Sequence, residues 1–534
     1  MSVPSAPEAP ASASGGTPGI NPAVRNAVRL CLSAKEYRAL YYIAGKRAPA
    51  LQSKLSSALC DDSATSSRSR HNLGALRASM RVFVGTGLAL KLFELVMSRV
   101  KGEAAKTKTR TPLLRSPNFR LSISLSLLLL LHRLIYRFLA RLRSNLRSDD
   151  ARPFRERNPH ISRALTSRYA PAVGASLAGF ALGGCPQDQL RLTAAIWTST
   201  KSLEYLYDAL DINGLLGKCP WWFGSWLLMP VSCAQLFHAF VFDRETTPKW
   251  FEVVVRRLSM GYIQDRPASL SADVAWPEKE QIVDSLSSIA DLRWPSFVSP
   301  ILHPNDPNTL PAAVKAISPI TGPAHPSIAN LACALLHPSL PGCSTAFLHQ
   351  ILLSVPRVAR LIGGVVLVYG LIGFKRIKAQ PLAAISGMLK KVLVMTTILS
   401  TSLASLWGSV CLLNNRLPGS TLPTKRFFLS GAMGSLPFLL LSSNRGLFTY
   451  FFRAAVDSAW KTGVKRKLWK GTRRYELTVF VLSWALMGSI LDSTPDAVQG
   501  GGVRKALSWL RGDGFADPVE AEKRKAERAS KKVE

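Results

Sequence analysis

Five stretches of this 534-residue sequence contain no Asp, Glu, Lys or Arg: Tyr169–Gln187, Trp221–Phe242, Val392–Leu413, Phe427–Asn444 and Leu477–Leu491. A soluble helical core rarely runs so far without a charge, because one side of each surface helix must meet water. A bilayer core of ~30 Å asks for about 20 mostly apolar residues in a helix rising ~1.5 Å per residue. Trp221–Phe242 and Val392–Leu413 reach that length outright. The others reach it when flanking Lys and Arg side chains snorkel to the headgroups. The lack of charge therefore predicts an all-α, polytopic helical membrane protein.

Acidic residues are also scarce. Thirty-three Asp and Glu stand against 68 Lys and Arg, a net charge of +35. Such an excess points to nucleic acid or to an anionic membrane surface. Position selects the membrane. The basic clusters Arg99–Arg120, Arg133–Arg157, Lys375–Lys378 with Lys390–Lys391, and Lys461–Arg474 lie between the apolar windows. Juxtamembrane bases of this kind hold a chain to anionic headgroups at ~1 kcal/mol each. The aromatic signature of RNA-binding sheets and the ligand spacing of zinc fingers are both missing. The expected partners are thus the bilayer and anionic lipids, with no nucleic acid. Bases flank the windows on both sides, so their distribution does not assign an orientation.

Motifs of soluble catalysis are missing too. The sequence has no GxSxG elbow and no HExxH, and Gly214-Leu-Leu-Gly217-Lys218 is too short for a phosphate loop and lacks the following Ser or Thr. No catalytic residue, cofactor or metal is expected. A membrane enzyme acting on lipids is the alternative, and it would need polar groups converging near one membrane face. The eight histidines, at 71, 132, 160, 238, 303, 325, 337 and 349, are dispersed. The eight cysteines, at 31, 60, 185, 219, 233, 333, 343 and 411, are scattered, which excludes a disulfide scaffold and favours free buried thiols. Met1–Gly19 is rich in Ala, Pro, Ser and Gly and lacks the regions of a signal peptide or an Arg-rich presequence.

What is present divides the chain into a disordered tail (1–23), a first membrane repeat with basic loops (24–243), a Pro-rich soluble insertion (244–332), a second membrane repeat (333–491) and a charged C-terminal tail (492–534). Candidate spans are Met80–Ser98, Leu121–Leu131 extended toward Asn118, Ala172–Gly184, Leu192–Leu216, Trp221–Phe242, Val358–Phe374, Val392–Leu413, Phe427–Leu441, Leu447–Trp460 and Leu477–Leu491. The halves resemble each other internally. Leu177-Ala178-Gly179 opens a small-residue segment followed by Arg191 and an aromatic helix with Glu204 and Tyr205. Leu429-Ser430-Gly431 opens the same kind of segment, followed by Arg445 and an aromatic helix with Asp457 and Trp460. Each is followed by one more apolar span, Trp222–Phe242 or Leu477–Leu491. Two pseudo-symmetric repeats are a common way to build a membrane core.

Three groups of residues stand out. Gly174, Gly179, Gly183, Gly431 and Gly434 offer small faces where helix backbones can approach, which is how helices associate in lipid. Arg191, Glu204, Arg445, Arg453 and Asp457 lie in or beside apolar helices, where charge is costly and faces a bundle interior, water or a partner. Arg453 and Asp457 share a helix face and can satisfy each other. Cys333, His337, Pro338 and Cys343 form an entry motif. His337, Cys343 and Cys333, with His349, are metal-capable, but no paired CxxC or HxxxH spacing supports them. The preferred reading is a Pro-shaped turn leading into an interfacial helix, since a residue before proline avoids the α region.

The segment CALLHPSLPGCSTAFL from Cys333, with the apolar run to Phe374, resembles the His-Pro…Cys…Phe-Leu entry segment of the transmembrane protein 135 family. RFFLSGAMGSLPFLLLSSNRGLFTYFFRAAVDSAWKTG, from Arg426, resembles that family's Phe-Leu-x-Gly…Arg…Tyr…acidic…Gly segment. That family is similar in turn to the translocase-subunit superfamily of mitochondrial and peroxisomal membranes. The likeness covers Cys333–Leu491 best and Ala172–Phe242 more weakly. It implies a multi-pass organelle membrane protein, mitochondrial or peroxisomal, concerned with membrane organisation or dynamics or with passage of a lipid or small solute. It implies no catalytic residues.

Overall fold

The computed structural model describes residues 32–47, 67–100, 115–217, 220, 223–267, 273–305, 310–441, 444–470 and 475–533, and these are helical with no strand. The expected N-terminal tail (1–23), Cys31, Cys60, Cys219, Arg473 and Arg474 lie outside the described residues. In chain order the helices are α1 (Ala34–Arg47), α2 (Ser67–Val100), α3 (Pro117–Arg147), α4 (Ala170–Ser176), α5 (Asp188–Ile212), α6 (Leu228–Phe242), α7 (Lys249–Leu258) and α8 (Lys279–Asp291). They continue as α9 (Leu331–Leu336), α10 (Cys343–Ile372), α11 (Pro381–Arg416), α12 (Arg426–Gly434), α13 (Arg445–Lys465), α14 (Tyr475–Ser493), α15 (Gly501–Arg511) and α16 (Pro518–Val533), besides short helical turns. α4 and α12 run on as tighter 3-10 turns over Leu177–Gly184 and Leu436–Leu441.

Among the described residues, five helical segments are long and apolar enough to cross a membrane: α3, α6 with its preceding turn (Ser225–Phe242), α10, α11 and α14. Only 11% of the apolar windows of α10 and of α11 is buried within the protein, so most of their apolar surface is left for lipid. The segments expected at Met80–Ser98, Leu192–Leu216 and Leu447–Trp460 are helical but fall outside this set. α2 carries Arg81, Lys91 and Glu94, and α5 carries Lys201, Glu204, Asp208 and Asp211, which breaks their apolar windows. Ala170–Gly184 and Arg426–Leu441 are apolar but shorter than a span.

The chain forms two compact units, Met1–Leu215 with Arg473–Glu534, and Leu216–Thr472. In the first, α2 and α3 form an antiparallel hairpin. Phe83 meets Phe119 edge-on at 5.5 Å, and Ser79 and Ser126 exchange hydroxyl-to-carbonyl bonds of 2.8 and 3.0 Å. Pro117 suits the first turn of α3, where its missing N–H is no loss. The buried Ser122 and Ser124 donate back to Asn118 and Arg120 carbonyls at 2.9 and 2.7 Å, so small polar residues sit on a packed face without unmet bonds. α4 and its 3-10 extension lie against α3, and α14 packs on both of them and on α5. The residues buried there include Leu128, Leu182, Tyr205, Leu477, Phe480 and Ile490.

The second unit is built on the α10–α11 hairpin, also antiparallel: Gly408 lies against Phe347, and Gly370 against Met388. α12 and α13 follow, and α6 packs on both. One core joins Phe237 and Phe240 of α6, Trp407 of α11 and Phe427 of α12 to Val255, Ile282, Ile289 and Leu335 of α7, α8 and α9. Residues 244–332, expected as a separate insertion, thus share a core with membrane-length helices. The units also cut the chain elsewhere than at 243 and 491, because α6 packs within the second unit and α14 within the first. The C-terminal stretch is tied down rather than free. The Arg133 guanidinium lies 4.6 Å over the Trp509 ring, Arg511 pairs with Asp492 at 2.6 Å, and Arg504 grips the buried Asp517 at 2.7 and 2.8 Å.

Candidate functional site

The densest chemistry lies in the second unit, at the entry motif. α9 places Cys333 in its first turn, where it is 3% exposed. Pro338 ends the helix: His337 before it adopts φ −145°, ψ 62°, outside the α region, as a residue preceding proline must. The backbone then turns, with the Leu340 N–H donating to the His337 carbonyl at 3.1 Å and the His325 N–H to the Pro338 carbonyl at 2.8 Å. Gly342 caps the N-terminus of α10, and Cys343 is the first residue of that helix. The fourth member, Cys411, is fully buried near the end of α11, next to Trp407 along the same core.

The antiparallel hairpin brings the start of α10 beside the end of α11, and the α9 turn folds onto both. As a result the Sγ atoms of Cys333, Cys343 and Cys411 and a ring nitrogen of His337 all lie within 4.8 Å of one another. The Cys333 and Cys343 sulfurs are 3.9 Å apart, and both thiols are free. His337 is 1% exposed. Its Nδ1 lies 2.9 Å from the Leu340 carbonyl, which can only accept, so the neutral ring carries its proton there. Nε2 is buried without a hydrogen-bond partner. Burial works against protonation of this ring, but the Cys343 thiol and the Leu340 carbonyl outweigh it and raise the His337 pKa.

Asn415, one helical turn beyond Cys411, donates from Nδ2 to the Cys343 sulfur at 3.5 Å, and its Oδ1 accepts from Asn330 at 2.5 Å. Tyr262 is fully buried and its hydroxyl has no hydrogen-bond partner. Burial first, then the neighbouring Cys411, Cys343 and Cys333, push its phenol pKa up. Four soft or borderline donors, with outer hydrogen bonds on two of them, make up a set able to hold a metal ion. Beside it lies a cavity of about 500 Å³ walled by Cys343, Phe347, Leu412, Asn415, Met433 and Leu436, mostly apolar.

The structure therefore gathers three residues of the entry motif and adds Cys411, while His349 is not in the group. A plain turn accounts for Pro338 but not for the four converging donors. Cys411 was legible in the sequence only as a thiol in an apolar window, because its partners are remote along the chain and come near only when the hairpin closes.

The small-residue positions are all close contacts. A Cβ on Gly431 would lie 2.8 Å from the Ala234 Cα and against the Cys233 carbonyl of α6, and one on Gly434 would lie 2.7 Å from the Leu406 Cβ of α11. On Gly179 it would meet Val481 at 2.9 Å and Phe480 at 3.0 Å, on Gly183 Leu477 at 3.0 Å, and on Gly174 the end of Leu139. Gly179 and Gly183 thus face α14, whereas Gly431 faces α6. Among the charged residues, Arg191 bonds Glu476 at 3.1 Å and Asp188 at 2.5 Å, Glu204 pairs with Lys201 at 2.7 Å, and Asp457 pairs with Lys461 at 2.6 Å. Arg445 is the first residue of α13, and Arg453 lies roughly two turns further along it.

Two polar anchors were missed by sequence reasoning. Arg426, fully buried at the start of α12, donates to Asn414 at 3.1 Å, to the carbonyls of Thr421 and Leu417 at 3.2 Å, and to that of Pro418. It lies 5.1 Å over the Trp294 ring. Asp243, 4% exposed at the end of α6, receives Arg466 at 2.6 Å and Lys465 at 3.5 Å. Comparison of the chain with protein-family models, with characterised proteins and with solved structures returns no match.

Proposed function

We propose that this chain is a multi-pass protein of a mitochondrial or peroxisomal membrane that organises that membrane by handling lipid, giving acyl chains a path beside the α10–α11 hairpin. The observation that carries the reading is the mostly apolar cavity of about 500 Å³ bounded by Phe347, Leu412, Met433 and Leu436, on a hairpin whose own outer faces are apolar and exposed. Mostly apolar walls suit hydrocarbon, with Ser344, Ser405, Ser409 and Asn415 the polar side chains among them. The organelle rests on the resemblance of the Cys333 and Arg426 segments to the transmembrane protein 135 family.

The make-up of the two units supports the same reading. Each unit contains an antiparallel hairpin, a short small-residue helix relaxing into 3-10 turns, a long helix and one closing span. The closing span of each unit is supplied by the other half of the sequence, α14 for the first and α6 for the second. We read this as an internal repeat whose final helices are exchanged.

The test is lipid movement between leaflets of liposomes holding the purified full-length chain, followed with a fluorescent phospholipid. The wild type should speed transfer over protein-free vesicles. Leu412→Trp, which fills the cavity from one wall, should slow it several-fold while the protein still elutes as a folded species. Wild-type vesicles no faster than empty ones would refute the reading and leave a membrane scaffold in its place.

A further inference from the structure

We propose that Cys333, His337, Cys343 and Cys411 hold one zinc ion, a closed four-ligand centre that fastens the mouth of the α10–α11 hairpin to the chain segment entering it. The inference goes beyond the lipid-handling reading and does not depend on it.

The distances fit a single ion. All four donor atoms lie within 4.8 Å of one another, and an ion with Zn–S bonds of ~2.3 Å reaches donors up to ~4.6 Å apart, so a small inward turn of the side chains brings the set onto one ion. A regular tetrahedron of that bond length sets sulfur–sulfur distances at ~3.8 Å, and the Cys333 and Cys343 sulfurs stand 3.9 Å apart. A disulfide would need ~2.05 Å, so this pair is spaced as co-ligands.

The histidine supplies an independent observation. It is 1% exposed, its Nδ1 is occupied by the Leu340 carbonyl, and its Nε2 is buried with no hydrogen-bond partner. A buried, unmet polar nitrogen is costly unless something binds it. The arrangement matches metal-bound histidine, in which a carbonyl on one ring nitrogen fixes the tautomer and aims the other at the metal. Asn415 supplies the matching outer bond on the thiolate side, donating to the Cys343 sulfur. Three thiols and one imidazole form a set characteristic of structural zinc, with no position left for water or substrate. On binding, the three thiols release their protons to solvent and the imidazole binds through its lone pair.

The position gives the ion a task. The turn between α10 and α11 closes one end of the hairpin covalently. Cys343 at the start of α10 and Cys411 near the end of α11 lie at the other end. Zinc would close that open end and pin the α9 turn across it, through Cys333 and His337. That end of the hairpin shares a core with α9 through Trp407, Val410 and Leu335, and a metal clasp there would fix the register of the three segments that packing brings together.

The experiment uses the full-length chain purified in mild detergent without chelator. Metal content is measured by plasma mass spectrometry against protein by amino-acid analysis. One zinc per chain is expected. On the wild type, peptide mass spectrometry after maleimide treatment should find Cys333, Cys343 and Cys411 unmodified until a chelator is added. Cys411→Ser, Cys343→Ser, Cys333→Ser and His337→Ala should each lose most of the zinc. His337→Cys, which restores a fourth donor, should retain it, and Cys233→Ser should be unaffected. Exchange with Co²⁺ should give tetrahedral visible bands with thiolate charge-transfer absorption. Wild-type protein without zinc and with the three thiols freely alkylated would overturn the proposal, as would a Cys333–Cys343 disulfide in the peptide map. Full zinc retention in His337→Ala would overturn the four-ligand assignment.

Discussion

Gly431 and Gly179 carry equal weight in the sequence, each opening a small-residue segment, yet they meet different kinds of neighbour. At Gly431 an added methyl would press on backbone, the Cys233 carbonyl and the Ala234 Cα at 2.8 Å. Backbone of a packed helix cannot rotate aside. At Gly179 the methyl would meet side-chain atoms of Val481 and Phe480, at 2.9 and 3.0 Å, which can give by a few tenths of an ångström. Gly431→Ala should therefore destabilise by about 1–3 kcal/mol, the usual cost of overpacking, despite the ~1 kcal/mol that alanine gains over glycine in a helix. Gly179→Ala should cost clearly less. Thermal melts of both variants in one detergent measure the difference, and equal losses would contradict this account of the contacts. The glycines themselves were legible, because small residues in apolar runs have few other uses. What each one faces was not, since the identity of the opposing helix is a property of the fold. Arg426 was illegible for a related reason: a lone base before an apolar run reads as a headgroup anchor until the carbonyls it caps are in view.

At the scale of elements, charge-free runs located the closing spans and the α11 arm of the second hairpin, because the cost of burying charge acts on any single helix. The order of packing was less accessible. The sequence sets Trp222–Phe242 after the first small-residue segment and Leu477–Leu491 after the second, which makes each the natural partner of its own predecessor. The structure pairs Ala170–Gly184 with α14 and α12 with α6. Periodicity specifies which face of a helix is apolar, but many apolar faces in one chain are interchangeable partners, and the choice rests on close fits such as Gly431 on Ala234. A cross-link checks the pairing directly. In a background where other accessible cysteines are replaced, Gly179→Cys with Val481→Cys should form a disulfide under mild oxidant, since the side chain of Val481 lies 2.9 Å from the position of a Cβ at 179. Gly179→Cys alone and Val481→Cys alone serve as the comparisons and should give no such internal disulfide. Failure of the 179–481 pair to link would separate α14 from the Ala170–Gly184 segment and remove the exchanged arrangement.

For the whole molecule, two forces can hold the chain at a membrane, and they respond differently to salt. The net charge of +35 attracts anionic headgroups, but a share of that charge is spoken for inside the protein: Arg466 and Lys465 on Asp243, Arg504 on Asp517, Arg426 on carbonyls. The bases left at the surface contribute ~1 kcal/mol each at low salt, and in 1 M salt the Debye length of ~3 Å removes most of that. Burial of apolar surface is indifferent to added salt in this sense and contributes ~0.8 kcal/mol per methylene. On α10 and α11 alone, Leu352, Leu361, Val365, Leu367, Leu371, Leu382, Ile385, Leu389 and Leu393 are each between 47% and 84% exposed, an apolar contribution on the order of 10 kcal/mol that added salt leaves in place. The chain should accordingly stay in the membrane pellet both in 1 M salt and in alkaline carbonate, where lysines also lose charge. A protein held by its basic loops alone would leave in either wash, and release of this chain into the supernatant would show that its apolar helices pack against protein rather than lipid.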